Sequence, residues 1–275
     1  MKTRIISACI MAPLFILVVM GGLPLFAACF AVAALGMHEL YNGWTVQELD
    51  PCRPLGYISL VLLYLIVYLS RYRSQPLPPE QAMGLISFWL VFTVCAALCV
   101  SLFDKGHEVF RGPLGALGVL YPGLFSVHLA LVQNSFGDLV YYIFLFAFGS
   151  DTFAYFSGYF FGKHKLCPDL SPKKTVEGAV GGVLGTALCT FALSSRILPQ
   201  VRMPLVIMSL FASVISMFGD LVASAFKRKM GIKDYSNLIP GHGGIMDRFD
   251  SVLFVAPFVY YCFLFLTMAD PGLLS

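Results

Sequence analysis

Nine stretches of mostly apolar residues follow one another along this chain, at 5–20, 22–37, 55–70, 84–103, 114–132, 138–161, 178–195, 204–226 and 251–269. A helix needs ~20 such residues to cross the hydrocarbon core of a bilayer. Lipid offers an open backbone no hydrogen bonds, so runs of this kind must be helices. The pattern predicts an all-α, polytopic integral membrane protein with nine transmembrane helices. Composition agrees, with 58% hydrophobic and 12% charged residues, where a soluble domain carries about 25% charge. The net charge of +3 is too small to suggest a nucleic-acid partner.

Lys2 and Arg4 ahead of the first run resemble the start of a signal peptide. No A-x-A site closes that run and a second begins at once, so a retained first helix is expected. The eight cysteines form no CxxC pair and mostly lie inside apolar runs, as small hydrophobes rather than zinc ligands or disulfides. Basic residues orient the chain. With the N-terminus inside, 14 Lys and Arg fall in cytoplasmic segments against four outside (Arg71, Arg73, Arg196 and Arg202). That asymmetry predicts N-in, C-out. It places two rich loops, 162–178 and 227–250, in the cytoplasm. Residues 1–135 then read as N-terminal transmembrane helices, and 136–275 as the region that carries the chemistry.

Acids stand where lipid should be. Asp151 and Asp220 lie inside apolar runs, where an aspartate costs about 2.5–3.5 kcal/mol on insertion scales. Asp138 suits a helix start. Glu39 ends the second apolar run and is either a site residue or a solvated helix end. At 100° per residue, Asp220, Ser224, Lys227 and Arg228 share one helix face. A carboxylate, a hydroxyl and two cations on one face suit a metal ion beside a phosphorylated ligand.

The loop "GKHKLCPDLSPKKTVEG" carries Lys163, Lys165, Lys173 and Lys174. Ser171 and Thr175 stand near the next helix start, where they cap it or contact phosphate. In "PGHGGIMDRFD", three glycines surround His242, which lets backbone approach a ligand closely. Asp247, Arg248 and Asp250 follow. If the last two helices pack together, Asp220 and Asp247 reach one metal site. Neither loop is a Walker A or dinucleotide-binding motif.

The stretch 224–250 has Ser224, Lys227, Arg228, Lys233, Asp234, Ser236, Ile239, Pro240, His242, Gly243, Gly244, Asp247, Arg248 and Asp250 at fixed spacings. This pattern resembles the signature of the integral-membrane phosphatidate cytidylyltransferases, or CDP-diacylglycerol synthases. "SDTFAY", "GKHKL", "SPKKTVEG" and the Gly219–Asp220 pair are similar too, so the resemblance covers residues 145–250. Val176 departs from it, since the family often has an aromatic residue there. The resemblance implies transfer of a cytidylyl group from CTP to phosphatidic acid with Mg²⁺, a second metal or a monovalent cation being left open. It implies Asp220 and Asp247 as metal ligands, with Lys227, Arg228 and Asp250 also catalytic. Ser171, Lys173, Lys174, Thr175, Ser224, Lys233, Asp234, His242, Gly243, Gly244, Arg248 and Asp151 are the implied substrate-binding set. Membrane lipids are the surroundings, the inner cell membrane the location with the site on its cytoplasmic face, and a homodimer one arrangement. Two rivals stay open: a CTP-dependent polyprenol kinase, and a proton- or ion-coupled transporter, which would gather its polar groups near the midplane.

Overall fold

The computed structural model describes residues 16–72, 75, 77–103, 109–239, 241 and 243–270. Residues 5–15 of the first apolar run, with Lys2, Arg4, Arg73, Lys105, Pro240 and His242, lie outside that set. The described residues are mostly helical: α1 (Gly22–Thr45), α2 (Arg53–Arg71), α3 (Pro79–Phe103), α4 (Arg111–Gly118), α5 (Phe125–Phe136), α6 (Tyr141–Phe161), α7 (Val176–Ile197), α8 (Arg202–Met230) and α9 (Met246–Ala269). Among the described residues, seven helical runs are long and apolar enough to cross a membrane. It is a multi-pass membrane protein.

One of those runs, Arg111–Phe161, holds 51 residues, roughly 75 Å of helix against a core about 30 Å thick. It is not one regular helix. Pro122 sits inside a π-helical turn, Val119–Leu124, and a 3-10 turn, Gly137–Val140, opens on Gly137 at φ 57°. That turn falls between the runs 114–132 and 138–161, which the sequence separates. The predicted cytoplasmic loop 162–178 contains a hairpin, β1 (Lys165–Cys167) antiparallel to β2 (Ser171–Thr175). Pro168 and Asp169 make its turn, Pro fixing φ and Asp suiting the bend.

The helices form two compact units. One takes the chain up to Ala130 together with Lys229–Arg248, and the other takes Leu131–Arg228 and Phe249 onward. The signature loop thus groups with the N-terminal helices. In the first unit, polar groups in the spans are tied across helices. Tyr41 Oη donates to Gly115 O at 2.7 Å, Trp89 Nε1 to Ser59 O at 2.8 Å, and the Tyr64 and Ser126 hydroxyls meet at 2.8 Å. Such bonds satisfy groups that lipid would leave bare. In the second unit, α7 packs on α6 through small residues. A Cβ at Gly182 would lie 2.9 Å from Ser150 O, and one at Gly178 2.8 Å from Ala154 O. Backbones this close are the small-residue packing of membrane helices.

Candidate functional site

Strand alternation selects which lysine enters the site of the second unit. Successive residues of a strand point to opposite faces. In β2, Lys173 is exposed and Lys174 half-buried. Lys174 Nζ stands 2.6 Å from Asp220 Oδ2, with the two side chains 22% and 31% exposed. Asp220 Oδ1 accepts a hydrogen bond from Ser224 Oγ, one helical turn on, at 3.3 Å. The Lys174 ammonium nitrogen is buried, and among the described residues Asp220 is its ion-pair partner. Its contact with Asp220 is an ion pair, and an ammonium with three N–H groups keeps donors to spare beside it. Buried donors of this kind call for an oxygen-rich ligand.

Asp250 in α9 is buried, at 8% exposure, and accepts from the Ser251 N–H at 2.7 Å. It shares its electrostatic surroundings with Asp220, Lys227 and Asp151. Charges from three helices and the hairpin therefore act here: Asp250, Asp220, Lys227 and the more weakly acting, exposed Asp151, with Lys174 against Asp220. The formal sum, three minus two, is one negative charge. This donor chemistry fits Mg²⁺. The carboxylate oxygens are hard, and the Lys174 ammonium against Asp220 stands where a cation would be held. Among the described residues no three His, Cys, Asp or Glu side chains form a ready metal cage. Mg²⁺ ordinarily takes one or two carboxylates and completes its shell with water and substrate phosphates.

The hairpin is fixed to α7 by its own residues. Thr175 is the N-cap of α7, and its hydroxyl accepts from the Gly178 N–H at 3.1 Å. Glu177, in the first turn, accepts from the Lys163 N–H at 3.0 Å and meets His164 Nδ1 at 2.6 Å. A carboxylate there also suits the helix dipole. Ser171 pairs with Cys167 in the ladder. Val176, the departure from the family pattern, opens α7 and is 42% exposed.

In the first unit, the glycine loop is tied by two carboxylates. Asp247 Oδ2 accepts from the N–H groups of Tyr235 and Gly244, both at 2.9 Å. Gly243 holds φ 81°, and a Cβ on it would stand 2.7 Å from that same oxygen. Glu39 is the second carboxylate. It is 4% exposed, so it is no solvated helix end. It accepts from Ser236 Oγ at 2.5 Å, from Ile245 N–H at 3.0 Å and from Met246 N–H at 2.9 Å. Local sequence gives only one hint of this, an acid at the end of an apolar run.

Lys227 is half-buried near Asp250, while Arg228 is exposed at the end of α8. Lys233 and Asp234 are exposed, and Arg248 is half-buried in the first unit. Asp220 and Asp247 belong to different units.

Residues 2–266 match the Cytidylyltransferase family. The chain is 34% identical over 266 residues to the phosphatidate cytidylyltransferase of Bacillus subtilis (strain 168), covering 95% of this chain and 97% of that one. It is 33% identical over 261 residues to a protein of the same name from Staphylococcus epidermidis (strain ATCC 12228 / FDA PCI 1200), with 94% and 96% covered. A third such protein, from Staphylococcus aureus (strain COL), is 31% identical over 259 residues.

Proposed function

Because the chain belongs to the cytidylyltransferase family, we infer that this enzyme moves the cytidylyl group of CTP onto phosphatidic acid, giving CDP-diacylglycerol and pyrophosphate. A phosphate oxygen of the lipid attacks the α-phosphorus of CTP. The bond from that phosphorus to the bridging oxygen breaks, and pyrophosphate leaves with the electron pair. No protein nucleophile takes part, so the residues act by positioning and charge neutralisation.

The observation that supports this reading most is the Lys174–Asp220 pair at 2.6 Å, an ammonium with donors to spare beside a half-buried carboxylate. Asp220 would hold Mg²⁺. Bound there, Mg²⁺ would neutralise nucleotide phosphate oxygens. Lys174 and Lys227 offer donors to phosphate, and Ser224 keeps the Asp220 carboxylate oriented through Oδ1. Lys173, Lys233, Arg228 and Arg248 add positive charge for an anionic nucleotide and lipid headgroup. Asp250 stands by Lys227 to hold it. One substrate is anchored by acyl tails and the other is water-soluble. The reaction therefore belongs at the membrane surface, on the cytoplasmic face of the cell membrane where CTP resides.

The test is purified protein in detergent with Mg²⁺, CTP and phosphatidate. The expected result is CDP-diacylglycerol and pyrophosphate in equal amounts. Folded protein that makes neither overturns the reading.

A further inference from the structure

The glycine loop resembles a phosphate cradle in sequence, but its amides at 244–246 are already in use. Helix N-termini present free N–H groups and partial positive charge, and so attract anions. At the start of α9 the anion is the chain's own. Glu39, from α1, takes the N–H groups of Ile245 and Met246, while Asp247 takes those of Gly244 and Tyr235. Glu39 also accepts the Ser236 hydroxyl, which in turn accepts the Leu238 N–H at 3.2 Å. One buried carboxylate thus clamps both ends of the signature loop, across 197 to 207 residues of sequence. Gly244 is required by the same contact. A Cβ there would stand 2.5 Å from each Glu39 oxygen.

We propose that Glu39 is a positioning residue for cytidylyl transfer: the N-terminal helices supply the carboxylate that caps α9 and fixes the loop bearing Asp247. This rests on the proposed reaction. It gives the N-terminal half a task beyond embedding the chain, and it leaves the phosphates to side-chain cations rather than to amides at 244–246. The division between the two Glu39 oxygens makes the role separable. Oε1 serves Ser236 and Ile245, and Oε2 serves Met246. A glutamine keeps its carbonyl for the first pair and turns an NH₂ toward the Met246 N–H, so Glu39→Gln loses that one bond at nearly constant volume.

The experiment compares wild type, Glu39→Gln and Ser236→Ala as full-length protein in detergent. It measures kcat and KM for CTP per folded molecule, and hydrogen exchange of the 243–247 amides. In Glu39→Gln, loss of a bond to a charged acceptor is expected to lower kcat about ten- to a hundredfold, with KM for CTP within about threefold of wild type. Exchange at Met246 should speed up while Gly244, held by Asp247, stays protected. Ser236→Ala, which keeps both Glu39–amide bonds, should lose only about two- to tenfold in kcat. Wild-type kcat in folded Glu39→Gln overturns the proposal. So does unchanged Met246 protection, or a loss that vanishes once activity is counted per folded molecule. If wild type itself makes no CDP-diacylglycerol, the proposed reaction falls, and the exchange measurement still decides whether Glu39 holds the loop.

Discussion

Removing Lys174 should hurt this protein in two separable ways. Its ammonium lies 2.6 Å from Asp220, and the two side chains are 22% and 31% exposed. At that distance the bare attraction is roughly 6 kcal/mol with an effective dielectric of 20. Desolvating both charges offsets most of it. Breaking fully buried pairs costs about 3–5 kcal/mol and exposed pairs about 0–1, so a partly buried pair should cost about 2 kcal/mol. The two partners are not equivalent. Lys174→Met leaves three carboxylates facing Lys227 alone, a formal charge of one minus three, or −2. Asp220→Asn leaves two of each sign, and a sum of zero. Lys174→Met should therefore lose about 2 kcal/mol of stability and Asp220→Asn less than about 1. Activity should not follow that order. If both groups act on the reacting phosphates, each variant should lose at least about a hundredfold in kcat. The double variant should then recover stability but not turnover. The assays are thermal unfolding in detergent and release of pyrophosphate. A Lys174→Met protein with near-normal turnover, or a double variant that regains activity, would refute the reasoning.

Three further outcomes are expected. Gly244→Ala should cost about 1–3 kcal/mol, because its Cβ collides with Glu39 and the loop must shift; an unchanged melting temperature would contradict this. Thr175→Ala should remove the N-cap of α7 and cost about 1 kcal/mol, while Thr175→Ser keeps it; differential unfolding of the two variants checks it. Chelation by EDTA should stop turnover and added Mg²⁺ restore it, and turnover that persists without divalent cation would remove the metal assignment.

The helices were legible because apolar length is a one-dimensional property that the bilayer enforces. The Asp220–Ser224 relation was legible for a similar reason, since a helical turn joins them at 3.3 Å. The hairpin 165–175 was not. Its strands are short, its residues are lysine- and proline-rich, and no apolar alternation marks it. Lys174 could be named as basic, but only the strand's two-residue period separates it from Lys173. Glu39 shows the largest gap between pattern and structure. Its three partners lie some 200 residues away, and no local period reports such a contact. In sequence the glycines of the loop read as room for a ligand; in the structure two of them, Gly243 and Gly244, make room for Asp247 and Glu39.

The central claim is the direction of group transfer, and the fate of a labelled phosphorus tests it most directly. Purified protein is given phosphatidate, Mg²⁺ and CTP labelled either at the α- or at the γ-phosphorus. The α label should enter the lipid as CDP-diacylglycerol and the γ label should leave as pyrophosphate. A γ label on the lipid, with none from the α position, would mean a kinase and would contradict it.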